Sequence, residues 1–304
     1  GRDVRVYMDL AGPKIRTCAV LPKAGARLRP GDRVHLRDDA AAPLAEGARA
    51  GAACTLPEAA AQARPGESVA FDDGKILGRI AARDAGGLWL EVIRTKPGGA
   101  RLKPDKGINF PGADIRVDAL TAADRAALDT AAEIADLVGH SFVQRPEDVD
   151  ALHAALAERG ARPGVVAKVE TGLAFRNLPE IIVAGAGRGP FGVMIARGDL
   201  GVEIGFPRLS EVQEEILWLC EAARVPVVWA TEVLASVVKR GVAARGEFTD
   251  AAMGARAECV MLNKGAFLEE GVATLDDVLR RAERHIDKKT PQLPRLAAWR
   301  APLA

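Results

Sequence analysis

Two apolar runs in this chain end in charge. Val193–Ala196 passes straight into Arg197, Gly198 and Asp199, and Val165–Val169 carries Lys168 and is closed by Glu170. Apolar runs this short read as buried strands that deliver polar groups at their C-terminal ends. Lys168 and Glu170 are two apart, so both point to one face of their strand. A buried Lys and Glu beside a strand-end Asp is a costly arrangement unless something compensates it. A divalent cation held by Glu170 and Asp199 is one such compensator.

The same reading predicts strands over 4–10, 136–143, 164–170, 192–197, 226–231 and 258–262. Helical patterns fall between them. Thr121 caps a helix running to Ile134, and Pro146–Gly160 carries Val149, Leu152 and Leu156 on one face. Further helices are expected near Phe175–Val183, over Glu211–Ala223 with Ser210 as cap and Glu214 nearby, over Val233–Arg240, from Thr249 to Ala257, and over Leu275–Asp287. A Pro-rich tail follows. Repeated βα units of this length imply parallel strands with helical crossovers. Asp9, Ser141, Lys168 with Glu170, Asp199, Thr231 and Asn263 collect at the strand ends, the active-site end of a (β/α)8 barrel. Six strands do not close the usual eight. Either the sheet is open, or the first two βα units are absent.

Residues 17–105 differ in texture. Short β-like runs (Arg33–Arg37, Ser68–Phe71, Lys75–Ala81, Leu88–Ile93) alternate with Pro-Gly turns, which predicts a small all-β domain. Its most notable turn is Phe71-Asp72-Asp73-Gly74. The expected organisation is therefore a barrel domain over 1–16 and 106–304, interrupted by a β-rich domain over 17–105.

Composition changes this picture little. The 304 residues are 48% hydrophobic with a formal net charge of +1, which suits a globular enzyme and gives no sign of nucleic-acid binding. No apolar run approaches a membrane span, and no signal peptide is recognisable. The four cysteines lack metal spacing and read as reduced thiols of a cytoplasmic protein. The four histidines make no ligand cluster. The chain starts at Gly1 rather than Met, nearly inside a strand, which suggests a fragment.

Six ordered strings resemble the pyruvate kinase family. Met8-Asp9-Leu10-Ala11-Gly12-Pro13-Lys14-Ile15-Arg16-Thr17 is similar to the family's passage from barrel strand three into a β-rich lid. Phe71-Asp72-Asp73-Gly74 resembles that lid's turn, and Asn109-Phe110-Pro111-Gly112 its exit. Ala167-Lys168-Val169-Glu170, Met194–Gly201 and Ala230-Thr231-Glu232-Val233-Leu234 are similar to three barrel motifs. The resemblance implies an α/β fold, a partial TIM-type (β/α)8 barrel of about six βα units with an inserted all-β lid. It implies the glycolytic transfer of phosphoryl between phosphoenolpyruvate and ADP, giving pyruvate and ATP. Glu170 and Asp199 would hold Mg²⁺, with Mn²⁺ as a substitute. Lys168 would neutralise the transferring phosphoryl group. Amides near Gly198 and Asp199 would take the substrate carboxylate, and Thr231 would assist protonation of the enolate. Arg16 and Asp73 would complete the catalytic set, Asp73 from the lid. Asp9 and Lys14 would form the monovalent-cation region.

The resemblance also shows departures. The family's first two βα units are missing, and a longer chain is expected to supply them. Its C-terminal regulatory domain is missing as well. Asn263-Lys264 stands where the family reads Ser-Gly-Glu-Thr, which removes a carboxylate from the proton relay. Lys14 stands where many members carry Glu, and its ammonium can replace a bound cation, so K⁺ is not expected to be required. The family resemblance suggests a homo-oligomer. Two other readings compete: an inactive relative that binds phosphoenolpyruvate or nucleotide, and an Mg²⁺-dependent lyase or aldolase acting on a pyruvate enolate. A carbon–carbon lyase needs no nucleotide lid, which weighs against the last.

Overall fold

A computed structural model of the chain describes residues 4–23 and 25–282. The expected Pro-rich tail and the end of the last helix lie outside the described residues. The described residues fall into two compact units. One holds the residues through Leu10, Ala122–Gly201 and those from Phe206 on; the other holds Ala11–Thr121 and Val202–Gly205.

The first unit is built on a six-stranded sheet of β1 (Tyr7–Asp9), β2 (Leu137–His140), β3 (Gly164–Val169), β4 (Phe191–Ala196), β5 (Val227–Ala230) and β6 (Cys259–Val260). The strands pair in sequence order and every pair is parallel. All six residues of β3 and all six of β4 are buried. That two-sided burial is why their sequences read as continuous apolar runs rather than alternating ones. On one face Val166, Met194 and Ala230 form a cluster with Tyr7, Val228 and Met261 against it. Fully burying one such aliphatic side chain contributes roughly 1.5–3 kcal/mol.

From residue 122 on, the α-helices of the described residues are α1 (Ala122–Ile134), α2 (Pro146–Ala157), α3 (Gly172–Arg176), α4 (Leu178–Ala186), α5 (Arg197–Ile204), α6 (Phe206–Ala223), α7 (Ala235–Arg240), α8 (Arg245–Met253) and α9 (Leu268–Ala282). Helix α2 buries Val149, Leu152 and Leu156 as the spacing predicts. It begins with Pro146 in the first turn, and Asp148 folds back to accept the Gln144 and Arg145 amides at 2.8 and 3.0 Å. Thr171 caps α3 by accepting the Ala174 amide at 3.1 Å.

Several boundaries differ from the sequence reading. The Phe175–Val183 helix is two helices, because Pro179 starts a new first turn after Asn177. Ser210 does not cap α6. That helix begins at Phe206, and the Ser210 hydroxyl donates to the Pro207 carbonyl at 2.9 Å inside it. Glu214 pairs instead with Arg256. Helix α8 starts at Arg245 rather than Thr249, with Glu247 accepting the Ala244 amide. Helix α7 starts two residues late because Thr231, Glu232 and Leu234 all have positive φ. Strands β1 and β6 are shorter than expected, and α9 begins at Leu268 rather than Leu275.

The second unit carries a seven-stranded sheet in the order Ile108–Asn109, Ser68–Phe71, Ile76–Asp84, Gly87–Thr95, Arg33–Arg37, Ala50–Cys54, Thr17–Leu21. The fully buried Ala50–Cys54 strand is not visible in the sequence pattern. Its small residues carry little β propensity, yet they are required by space: a Cβ on Gly51 would lie 3.0 Å from the His35 carbonyl oxygen. The Phe71-Asp72-Asp73-Gly74 segment is a hairpin turn, with Asp72, Asp73 and Gly74 all at positive φ between antiparallel strands. Asp tolerates that region better than most residues.

One aromatic cluster braces this sheet. The Arg33 guanidinium lies 4.2 Å from the Trp89 ring centre and the His35 ring 4.7 Å from it. The Trp89 indole N–H donates to Asp84 at 2.6 Å, as does the Gly86 amide at 2.8 Å. These donors, Trp89 first, hold the Asp84 carboxyl down at about 2. A carboxylate lowered by folding contributes stability that is present above its ordinary value and is lost as pH falls through its folded value. The Trp89 indole N–H resonance is therefore expected to hold to about pH 3 and shift as pH falls through about 2. Asp84→Asn should remove that step; a step unchanged in the variant would contradict the assignment.

Candidate active site

The first unit places charged and polar residues at the C-terminal ends of β1 to β4. Asp9 closes β1, Ser141 follows β2, Lys168 and Glu170 come from β3 and its end, and Asp199 sits in the first turn of α5 after β4. Register explains the meeting. Asp9 pairs with Gly139, and His140 with Ala167, so residues far apart in the chain reach the same level of the sheet.

Lys168 is the centre of this group and is 9% exposed. Its ammonium donates to Asp9 Oδ2 at 2.9 Å and to Ser141 Oγ at 2.7 Å, and lies 3.5 Å from Glu170 Oε1. Burial pushes the ammonium down, but the Glu170 and Asp9 carboxylates together hold it above the ordinary lysine value. Glu170 is 4% exposed and its Oε2 accepts the Phe142 amide at 2.6 Å. Phe142 adopts φ +55° to present that amide. Strain of this kind in a bulky residue persists only where its surroundings impose it. On the other flank the Tyr7 hydroxyl lies 3.3 Å from Asp9 Oδ1. Burial, then the Asp9 charge, push the Tyr7 phenol up, so it stays a neutral donor.

A second group fixes the ends of β4 and β5. Arg197, 8% exposed, donates to the Ala230 carbonyl at 3.0 Å and the Thr231 carbonyl at 2.7 Å. Its two terminal nitrogens pair with the two oxygens of Asp250 in α8. The guanidinium also stacks 4.4 Å from the Trp229 ring centre. This planar fork locks the Thr231 backbone at φ +67°, a conformation that a β-branched residue rarely takes. Thr231 Oγ1 then accepts the Gly198 amide at 2.8 Å.

Of the residues singled out from sequence, the structure thus joins Asp9, Lys168 and Glu170 in one ion-paired group, and Thr231 with Gly198. Arg16, Lys14 and Asp73 belong to the second unit. There the Arg16 guanidinium pairs with Asp105 at 3.3 Å, and Asp73 is exposed at the tip of its hairpin. Asn263 and Lys264 are exposed after β6. Sequence reasoning assigned no role to Arg197, Asp250, Phe142 or Tyr7. Arg197 had a signal, a charge closing an apolar run; Asp250, 53 residues on and inside a helix, had none.

Two carboxylates, Glu170 and Asp199, stand at neighbouring strand ends. Mg²⁺ takes one or two carboxylates and keeps waters and substrate oxygens for the rest. Glu170 and Asp199 follow adjacent strands, β3 and β4. Among the described residues no group of three or more His, Cys, Asp or Glu forms an all-protein cage. The four cysteines are free thiols, and no helix of the described residues is long and apolar enough to cross a membrane.

A parallel α/β half-barrel with a buried Lys and Glu at its strand ends defines the class as a partial TIM-type barrel with charge gathered at the C-terminal ends of its strands. The comparisons narrow this class. The family model described as pyruvate kinase, barrel domain, matches residues 1–281. The chain is 36% identical to a pyruvate kinase of Agrobacterium vitis over 222 residues, covering 70% of this chain and 43% of that protein. It is 32% identical to the pyruvate kinase of Corynebacterium efficiens over 301 residues, 96% of this chain and 60% of that one. The Haemophilus influenzae pyruvate kinase is 31% identical over 294 residues, 93% of this chain and 59% of its own. The chain belongs to the pyruvate kinase family, and it spans about half the length of the curated relatives it matches.

Breaking the Arg197–Asp250 pair should be costly, since it strands a buried guanidinium. A fully buried pair loses about 3–5 kcal/mol when one partner is removed. Asp250 is 31% exposed, so Asp250→Ala is expected to cost on the order of 2 kcal/mol. Urea denaturation followed by circular dichroism measures it. An unchanged midpoint would show that the fork does not hold the two strand ends.

Proposed function

We propose that this chain carries the active site of a pyruvate kinase, moving a phosphoryl group from phosphoenolpyruvate to ADP to give pyruvate and ATP. The observation that carries this reading is the buried Lys168 ammonium, held charged between Asp9 and Glu170 at the strand ends of a pyruvate kinase family barrel. Phosphoryl transfer has little covalent chemistry for a protein to perform, so positioning and charge dominate.

In the proposed reaction the bond between phosphorus and the enol oxygen breaks as a bond from phosphorus to an ADP oxygen forms. Lys168 would face the charge on the transferring group as a compact donor that the Glu170 and Asp9 carboxylates keep positive. Glu170 and Asp199 would hold Mg²⁺, or Mn²⁺ in its place, which supplies neutralisation of phosphate and enolate oxygens when bound. The enolate left behind takes a proton at carbon to become pyruvate, and the Thr231 hydroxyl assists that delivery through water. Helix α5 begins at Arg197, so its first amides favour the substrate carboxylate. The Gly198 amide already donates to Thr231, so a carboxylate bound at Gly198 displaces that hydroxyl and couples binding to the proton-delivering residue.

Arg16 and Asp73 join this set on the resemblance alone, as does the replacement of K⁺ by Lys14. Coupled assay of pyruvate formation from phosphoenolpyruvate, ADP and Mg²⁺ on the full-length protein tests the reading. Wild type should turn over, and Lys168→Met should lower kcat by at least about 10²-fold, the scale of a lost preorganised charge. Binding of phosphoenolpyruvate without turnover would favour a catalytically silent relative instead. Replacing choline with K⁺ should leave the rate nearly unchanged; a large rise would refute the role given to Lys14.

A further inference from the structure

We propose that Ser141 is a positioning residue that aims the Lys168 ammonium. The proposal rests on the reading of Lys168 given above and adds a residue to it. Ser141 follows β2, the strand between β1 and β3, and is 1% exposed. Its oxygen lies 2.6 Å from the Leu10 carbonyl oxygen and 2.7 Å from Lys168 Nζ. One hydroxyl therefore bridges the ends of three strands.

The direction of both bonds is fixed by chemistry. A carbonyl only accepts, so the Ser141 proton goes to Leu10. An ammonium only donates, so Lys168 gives a proton to the Ser141 oxygen. The chain runs Lys168 N–H to Ser141 O–H to Leu10 C=O and cannot reverse. Its far end is anchored, because the Leu10 amide donates to the Gly139 carbonyl at 2.9 Å. Its near end is shared, because the ammonium also donates to Asp9 Oδ2. Asp9 and Glu170 attract the ammonium from two sides, at 2.9 and 3.5 Å, and a point charge between two carboxylates can swing toward either. Ser141 is the neutral contact that holds it in place without cancelling any of the charge a substrate phosphoryl group needs. Burial means that water does not readily take over this role after Ser141→Ala.

Removing a positioning contact is expected to act on the chemical step. A displacement of about 1 Å can cost about 10²-fold in rate. In the full-length protein, Ser141→Ala should lower kcat by about 10- to 100-fold while the KM for phosphoenolpyruvate moves less than about threefold. Ser141→Thr, which keeps the hydroxyl, should recover most of the loss. A second readout does not depend on turnover. In ¹⁵N-lysine-labelled protein, Lys168→Met assigns the Lys168 ammonium resonance, which should shift in Ser141→Ala and return toward wild type in Ser141→Thr. Wild-type kcat in Ser141→Ala, or an unmoved Lys168 resonance in the folded variant, would overturn the proposal. If wild type itself fails to turn over, the proposed function fails, and the resonance alone decides whether Ser141 positions Lys168.

Discussion

A buried ammonium must be answered by charge, and Lys168 sets that requirement for the half-barrel. Leaving it unpaired in an apolar sheet would cost several kcal/mol even after relaxation. The answer comes from both sides of β3 and its end: Asp9 from β1, two strands away, and Glu170 two residues on. Asp9 cannot serve unless β1, β2 and β3 pair in register, because it is 159 residues from Lys168 in the chain. The parallel order of the strands and the charge at their ends are thus one constraint. The left-handed turn at Phe142 belongs to it too, since that turn supplies the amide that steadies Glu170.

The second group repeats the logic with a different cation. Arg197 is also buried at a strand end, but its planar fork is satisfied by Asp250, two carbonyls and the Trp229 ring. Its donors are therefore spent on structure, and the residue it shapes is Thr231. Lys168 is ringed by the side chains of Asp9, Ser141 and Glu170, whereas Arg197 is committed to two backbone carbonyls and Asp250. This division explains why the two cations, on neighbouring strands of similar apolar sequence, are read as having different tasks.

Much of this was legible in the sequence for a physical reason. Strands β3 and β4 are buried on both faces, so their runs are continuous and their charges stand out. Lys168 and Glu170 could be placed on one face from a spacing of two. The family strings named the class, and the comparisons bear that family out. What stayed hidden depended on contacts between distant segments. Asp250 lies in an ordinary-looking helix, and nothing near it announces Arg197. The start of α6 was missed because Ser210 offers a capping signature that the helix passes through. The Ala50–Cys54 strand was missed because close packing, not propensity, selects its small residues.

The proposed function requires Glu170 and Asp199 to hold a divalent cation beside Lys168. Titration of the full-length protein with Mn²⁺, followed by electron paramagnetic resonance of the free ion, tests it most directly. Wild type should bind Mn²⁺, more tightly with phosphoenolpyruvate present, and both Glu170→Gln and Asp199→Asn should weaken binding by at least about tenfold, the lower end of what losing supporting groups costs a metal site. Wild-type affinity in either folded variant would contradict the account.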